Sequence, residues 1–346
     1  MTDATAKESA TRALREEEYI ALLNGLGVAR TPFSAIAIRG RDRIKFLHNF
    51  CTANIKSLSP NQGCEAFVLN VKGKTIGFGY VVVLEQEIYF ITPSTFHEEL
   101  IRHWTKYVIT EDVQFESMAQ SQGCWCLSAR VSEHIARTWS PAANETDYLA
   151  TRFATILNAL DGVPYLFSIN SVVDQEPFIA IQASLFSGRD IMVLVAHRAE
   201  SQWLKTLSTA QVREVSSSAF EVARIEHGTP IFGMDISEAN LPQEVARDEL
   251  AISFKKGCYL GQETVARIDA LGHVNKSMVQ FEFSGSEVPL PGTPLNHNDK
   301  VIGLITSTCF SFKFARPIGI GYLNRNVTQV DIDLGPEYGR VKQLGS

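Results

Sequence analysis

The sequence has no run of about 18 consecutive apolar residues, roughly the length that a helix needs to cross a membrane. Residues 1–18 mix acidic and basic side chains without an apolar core, so they lack the pattern of a secretory signal. A formal net charge of -6 argues against broad binding to nucleic acid or anionic membranes. These absences predict a cytoplasmic protein that binds neither membranes nor nucleic acid.

Cysteine is scarce, and its spacing is not that of a disulfide framework or a metal site. The six cysteines lie at positions 51, 64, 124, 126, 258 and 309. Cys124 and Cys126 are closer together than the cysteines of a usual zinc or thioredoxin motif, so we expect them to pack within a strand. His227 and His273 have no partner at metal-ligand spacing. We therefore expect a reduced protein without a bound metal.

The length predicts more than one domain, because a single core rarely grows beyond about 250–300 residues and this chain has 346. Apolar and polar residues alternate at 33–39, and Asp42 is expected to cap the helix that follows. Further strands are predicted at 65–71, 76–84 and 88–92, followed by a helix at 95–107. The first two of these strands form a hairpin around Lys72-Gly73-Lys74-Thr75.

A weaker copy of this pattern follows, which favours two α+β layers. Strands are predicted at 165–168, 178–183 and 191–195, and helices at 144–159 and around Trp203. After Gly272 the pattern changes to short strands at 278–283, 300–308 and 318–323, separated by turns rich in Pro and Gly. Such spacing predicts a small barrel or sandwich of roughly seventy residues.

Cys258 has the sequence surroundings of a reactive thiol. It follows Lys255 and Lys256, lies between Gly257 and Gly261, and precedes a helix predicted at 262–271, with Gly272 as its stop. The positive end of a helix and nearby ammonium groups favour the thiolate over the thiol, and glycines let another molecule approach the chain closely. The alternative is a buried, inert cysteine in a tight turn, since free cysteine is among the most buried residue types.

The eight residues from Lys256 to Glu263 match, residue for residue, the signature K-G-C-[FY]-x-G-Q-E. In this the chain resembles the YgfZ-type proteins, folate-binding factors of iron–sulfur cluster assembly and repair within the aminomethyltransferase (GcvT) superfamily. Other segments resemble landmarks of the same family: Phe46-Leu47 with Thr52, Lys72-Gly73-Lys74, Arg224-Ile225-Glu226, Gly228, Pro230, Gly233, Asp235 and Leu241-Pro242-Gln243-Glu244.

The resemblance implies an α+β fold of the GcvT/YgfZ type. Two interleaved α+β domains and a small C-terminal β-barrel would be arranged around a central cavity. The expected boundaries are 1–45 with 120–263 for the first domain, 46–119 for the second, and 275–346 for the barrel.

The same resemblance implies the site residues. Glu226 matches the glutamate that holds the pterin ring of tetrahydrofolate, which fits because a carboxylate can accept two adjacent N–H groups. Lys72 and Lys74 would meet a folate glutamyl tail, although hairpin lysines more often only solvate a turn. We expect cofactor-binding roles for Gly257, Gly261 and Gln262 as well. Cys258 and Lys256 are the expected catalytic residues, with no metal ligand.

One departure from the superfamily bears on the reaction. True aminomethyltransferases carry an aspartate shortly after the glycine link, near the reacting folate nitrogen, whereas residues 72–79 contain no acid. We therefore expect a factor assisting iron–sulfur clusters, with transient cluster contact and with client enzymes or assembly factors as partners, rather than a conventional enzyme. The alternatives are a folate-dependent aminomethyltransferase or one-carbon transferase, and a folate sensor or scaffold with a merely structural cysteine loop.

Overall fold

The computed structural model describes residues 3–131, 168–173, 176–297, 300–327 and 331–344. The chain divides into two compact units, the first formed by Met1–Ser34 with Met118–His227 and the second by Ala35–Ser117 with Gly228–Ser346. The helix predicted at 144–159, and the strand predicted at 165–168 except its last residue, lie outside the described residues. The domain boundaries predicted from the sequence stay predictions.

The elements are numbered in chain order. The helices are α1 (Asp3–Leu23), α2 (Arg43–Phe50), α3 (His97–Thr105), α4 (His197–Thr209), α5 (Ser217–His227), α6 (Asp248–Ala251) and α7 (Gln262–Leu271). The strands are β1 (Gly27–Arg30), β2 (Phe33–Arg39), β3 (Gly63–Leu69), β4 (Thr75–Val83), β5 (Glu87–Pro93), β6 (Gln114–Ser117), β7 (Gln122–Ser128), β8 (Ser168–Val173), β9 (Glu176–Ala183), β10 (Asp190–Ala196), β11 (Arg213–Val215), β12 (Lys276–Phe283), β13 (Pro294–His297), β14 (Lys300–Ser311), β15 (Arg316–Asn324), β16 (Asp331–Asp333) and β17 (Arg340–Gln343).

The first unit contains a six-stranded mixed sheet in the order β11-β1-β7-β10-β9-β8. β1 is parallel to β11 and antiparallel to β7. Cys124 and Cys126 are buried on β7, which confirms the expectation that they pack within a strand. Between them Trp125 packs against Trp203 of α4, with the ring centroids 5.6 Å apart. Burial of these two rings fixes α4 to one face of the sheet.

The second unit contains a five-stranded sheet in the order β3-β4-β5-β2-β6. β3 and β4 form the predicted hairpin. The helix predicted at 95–107 is shorter, because residues 94–96 form a 3-10 turn before α3. Asp42 occupies the N-cap position of α2 as predicted, but its side chain makes no cap bond. Its carboxylate instead accepts a hydrogen bond from the backbone N–H of Asp112 at 2.9 Å. Asp42 thus ties the start of α2 to the distant segment before β6.

The same unit ends in a six-stranded barrel in the order β13-β14-β15-β12-β17-β16, whose first and last strands contact each other. Phe281, Ile305 and Leu323 fill its interior. Since side chains alternate along a strand, Leu304 and Tyr322 lie on the outer face. These elements confirm the predicted α+β class with a C-terminal barrel. Among the residues that the structure describes, no helix is long and apolar enough to cross a membrane.

Candidate functional site

The cysteine loop, residues 254–261, leads directly into α7 within the second unit. The helix begins at Gln262 and ends before Gly272, at the predicted residues. Cys258 therefore lies just ahead of a helix N-terminus, where partial positive charge from unpaired N–H groups is greatest.

Cys258 is the exposed thiol of this protein. The structure describes all six cysteines, and the other five are buried or half-buried. Burial raises the pKa of Cys51 and Cys64, and it raises the pKa of Cys124 to about 12. Those thiols are therefore protonated and shielded at neutral pH, while the thiol of Cys258 is open to another molecule. The alternative of a buried cysteine in a tight turn does not describe this loop.

The side chain of Lys256 anchors the cysteine loop to the backbone at the end of α2 and just after it. Its ammonium group donates to the backbone carbonyls of His48, Cys51 and Ala53 at 2.5, 2.8 and 2.7 Å, and it lies 4.8 Å from the ring centroid of Tyr259. Burial lowers the pKa of Lys256. An ammonium group has three N–H donors, and each has an acceptor in this arrangement. The geometry gives Lys256 a positioning role, and its catalytic role stays a prediction.

Two further hydrogen bonds hold the loop on its helix side. The backbone N–H of Leu260 donates to the carbonyl of Asn49 at 2.9 Å. The side-chain oxygen of Gln262 accepts from the backbone N–H of Tyr259 at 3.0 Å. Gln262, expected to bind the cofactor, thus has a structural contact within the loop. The thiol is carried by a segment with defined backbone geometry.

The predicted lysine-glycine-lysine turn lies against the end of this loop. The hydroxyl of Thr264 donates to the carbonyl of Lys72 at 2.9 Å. Lys72 is exposed, whereas the ammonium group of Lys74 donates to the carbonyl of Ala239 at 3.0 Å. Gly257 has no atom within 4 Å of the place where a Cβ would lie, so the space beside it is open. The structure thus brings Lys72, Gly261 and Gln262 into one region of the second unit.

Glu226 belongs to the first unit, in the last turn of α5. It is half-buried, and its carboxylate accepts a hydrogen bond from the hydroxyl of Tyr19 on α1. On the same helix the fully buried Arg224 pairs with Glu221 at 2.7 Å. These contacts orient the end of α5 and give the carboxylate of Glu226 a fixed position. Tyr19 was missed from the sequence, because no local pattern links two residues so far apart in the chain.

A candidate metal centre is absent from the part of the chain that the structure describes: no three His, Cys, Asp or Glu side chains are grouped as ligands. The second unit presents the exposed thiol of Cys258, and the first unit presents the oriented carboxylate of Glu226.

Comparison with known proteins shows which of them this chain is similar to. Residues 276–340 match the family described as the glycine cleavage T-protein C-terminal barrel domain. An Arabidopsis thaliana protein named as a chloroplastic transferase is 25% identical over 91% of this chain and 69% of its own length. The tRNA-modifying protein YgfZ of Blochmanniella pennsylvanica is 25% identical over 80% of each chain. An aminomethyltransferase of a Thermoanaerobacter species is 21% identical over 90% of this chain and 82% of its own length.

The fold has a solved counterpart. The crystal structure of the glycine cleavage system aminomethyltransferase T from Bartonella henselae matches with a TM-score of 0.78 and 15% identity, over 95% of this chain and 88% of that one. This likeness confirms the predicted GcvT-like fold. The barrel segment matches the T-protein barrel family, and the whole chain is similar to YgfZ-type proteins and to aminomethyltransferases at similarly low identity.

Proposed function

We propose that this protein binds tetrahydrofolate and assists the assembly or repair of iron–sulfur clusters, with Cys258 as the reacting residue. The observation that carries the proposal is the exposed thiol of Cys258 on a loop anchored by Lys256. Within the signature from Lys256 to Glu263, Lys256 and Gln262 hold the backbone of the loop in place. The cysteine that this loop carries is the exposed cysteine of the six. Such a loop presents a nucleophile without letting it collapse into the core.

The proposed contact with the cluster is transient. Iron–sulfur clusters are usually held by about four protein ligands. One exposed thiolate supplies a single ligand, so the client enzyme or an assembly factor would supply the rest. The partners of this proposal are therefore iron–sulfur proteins and the factors that load them, and [4Fe–4S] enzymes are the proposed clients.

A complementation experiment tests the role of Cys258. Cells lacking their own YgfZ-type factor would express the parent chain, Cys258→Ala or Glu249→Ala, which changes an exposed side chain of α6 outside the cysteine loop. We expect the parent and Glu249→Ala to restore the activity of cluster-dependent enzymes, and Cys258→Ala to fail although it melts at the parent temperature. Full rescue by a folded Cys258→Ala protein would remove the thiol from the mechanism.

Folate binding rests on Glu226. A half-buried carboxylate held by Tyr19 fits the edge of a pterin, which presents an amino group and a ring N–H side by side. When bound, the folate would supply its one-carbon chemistry, and the protein would supply orientation. The cofactor roles of Lys72, Lys74, Gly257, Gly261 and Gln262 stay proposals of the same kind.

Calorimetric titration with tetrahydrofolate tests this cofactor. We expect saturable binding to the parent and to Glu214→Ala, which removes an exposed carboxylate of β11 in the same unit. Binding to Glu226→Ala should weaken by at least about tenfold, because hydrogen bonds to a charged group contribute roughly 1.5–3 kcal/mol. Absence of binding to the parent would refute the cofactor proposal, and an unchanged affinity of Glu226→Ala would refute the role of that residue.

A second function is favoured by the relatives named aminomethyltransferase, which cover most of the chain. A folate-dependent one-carbon transferase would turn over methylene- or methyl-tetrahydrofolate with an amine substrate. The absence of an acid in residues 72–79 counts against it. Turnover with any member of an amine panel would favour this function over the first. The cytoplasm stays the proposed compartment, although one relative is named as chloroplastic.

A further inference from the structure

A cavity of about 450 Å³ lies within the second unit, where α6, the end of α7, the start of β12 and the residue after β15 come together. None of the residues proposed above for folate binding or thiol chemistry lines this cavity. A cavity with a few charged groups and apolar walls has the general features of a small-molecule site. Three of its lining residues are charged and three are apolar: Asp248, Asp269 and Arg325, and Phe254, Ile268 and Val274.

Two carboxylates, from Asp248 on α6 and Asp269 on α7, contribute to the lining. Among the described residues, neither of them forms an ion pair with a cationic side chain. Burial and the charge of Asp269 raise the pKa of Asp248 to about 6, so Asp248 is mainly ionised at neutral pH. The Oδ1 atom of Asp248 is enclosed by the chain, so a bound cation would contact its Oδ2 atom. Two negative charges that disfavour each other beside one cavity favour a cationic group between them.

Arg325 adds the opposite charge. It is exposed, and its backbone N–H donates to the carbonyl of Asn275 at 2.9 Å, which fixes it beside the loop that follows α7. Its guanidinium group forms no ion pair within the described part of the chain, with Asp248 and Asp269 included. Charges of both signs therefore border one cavity without neutralising each other. A guanidinium group presents a planar set of donors that suits a carboxylate.

His273 is the remaining titratable side chain of the lining. Its Nδ1 atom lies 2.9 Å from the carbonyl oxygen of Leu271. Because a carbonyl oxygen can only accept, Nδ1 is the donor, and Nε2 is an acceptor in the neutral ring. The neutral ring therefore adds no second positive charge to the cavity.

The apolar part of the lining suits an alkyl chain. Phe254 is 47% exposed, and it borders the cavity together with Ile268 and Val274. An exposed aromatic ring can cover the methylene groups of a ligand, and its face attracts an ammonium group. The lining thus favours a molecule that is charged at both ends and apolar between them.

We propose that this cavity binds a small ω-amino acid, a molecule in which a short alkyl chain joins a protonated primary amine to a carboxylate. The amine would lie with Asp248 and Asp269, the carboxylate would pair with Arg325, and the chain would lie against the apolar wall. The volume is sufficient, since a cavity of about 150 Å³ is large enough for benzene. This site is additional to the proposed folate and thiol functions and does not depend on them.

A series of ω-amino acids tests the proposal. Binding of γ-aminobutyrate, δ-aminovalerate and ε-aminocaproate to the whole chain is followed by NMR titration without folate, at about pH 7.5, where Asp248 is ionised. The parent should bind at least one of them saturably. Its affinity for the alkylamine and for the carboxylic acid of the same chain length should be at least about threefold lower, because each lacks one of the two charges.

Variants of the charged residues assign the two ends of the ligand. Asp248→Asn should weaken binding about tenfold, because hydrogen bonds between charged groups are the stronger ones. It also removes a charge that burial disfavours, so it should melt no lower than the parent. Arg325→Gln should weaken binding of the amino acid about threefold or more and leave binding of the matched alkylamine no weaker.

Glu249→Gln on α6 and Arg267→Gln on α7 are the matched controls. Both side chains are exposed and neither lines the cavity, so both variants should bind like the parent. No saturable binding of any of the three amino acids to the parent would overturn the proposal. An affinity that is the same in the parent, Asp248→Asn and Arg325→Gln would overturn it as well, because the ligand would then lie elsewhere.

Discussion

Gly73 and Gly261 meet at the junction of the hairpin turn and the cysteine loop. A Cβ on Gly261 would lie 3.1 Å from the Cα of Gly73 and 2.7 Å from the carbonyl oxygen of Asn70. Both glycines have positive φ, +74° for Gly73 and +82° for Gly261. Two motifs that are far apart in the sequence therefore touch backbone to backbone, at a place where any larger residue would separate them.

The first prediction concerns this contact. Gly261→Ala should lower the free energy of unfolding by about 1–3 kcal/mol, because alanine is strained at positive φ and its methyl group overlaps the opposing backbone. Chemical denaturation measures the change. Gly257→Ala is the matched control, since its Cβ would meet no atom within 4 Å, and it should change stability by less than about 0.5 kcal/mol. Equal losses in both variants would contradict the close approach.

Lys256 provides the second prediction. Lys256→Met keeps the apolar stem and removes the ammonium group from three carbonyls, so stability should fall by about 1–3 kcal/mol. Lys255→Met changes an exposed neighbouring position, and its free energy of unfolding should lie within about 0.5 kcal/mol of that of the parent. A Lys256→Met protein as stable as the parent would show that these carbonyls find other partners without cost.

Asp248 provides a prediction about pH. Burial, and then the charge of Asp269, raises the pKa of Asp248 to about 6, and one of its oxygens has no partner among the described residues. Because the folded state holds this proton more tightly than the unfolded state, the stability contributed by the protonated group is complete below about pH 4 and is lost as the pH rises through about 6.

Asp248→Asn should therefore stabilise the protein at pH 7.5 by about 1–2 kcal/mol, a value reduced for partial solvent exposure, and should have little effect at about pH 4. Thermal unfolding at the two pH values measures this difference. Asp269→Asn should also stabilise the protein at pH 7.5, but by less, because it removes only the neighbouring charge and leaves the buried carboxyl of Asp248 in place. A gain that is equal at both pH values would point to a cause other than titration.

The last prediction concerns thiol accessibility. In the native protein at neutral pH, an alkylating reagent such as iodoacetamide should modify Cys258 first, since the other five cysteines are buried or half-buried. Mass spectrometry of peptides after short exposure identifies the modified residue. Cys258→Ser should abolish the rapid alkylation seen in the parent, and denaturant should then allow the remaining five cysteines to react. Fast modification of Cys64 in the native parent would contradict the exposures in this structure.

Short-range patterns in the sequence predicted much of this structure. The alternation at 33–39 and the glycine stop after residue 271 gave elements with the observed bounds, because both signals are local. Contacts between distant residues were not predicted, among them Tyr19 with Glu226 and Lys256 with the carbonyls after α2. Asp42 shows the reason: a local cap was expected, but a tertiary partner took its carboxylate.

The hydrogen bonds that the hydroxyls of Thr306 and Ser307 donate to the carboxylate of Asp235 limit where the chain can be cut. A fragment restricted to residues 276–344 would begin at β12 and lose the carboxylate that both hydroxyls require. It would also uncover Tyr322 and the apolar side chains around it. Such a fragment should be prone to aggregation, whereas one that starts before Ile231 keeps this face of the barrel protected. Residues 276–340, which match the barrel family, are thus fewer than the barrel needs to keep its outer face covered.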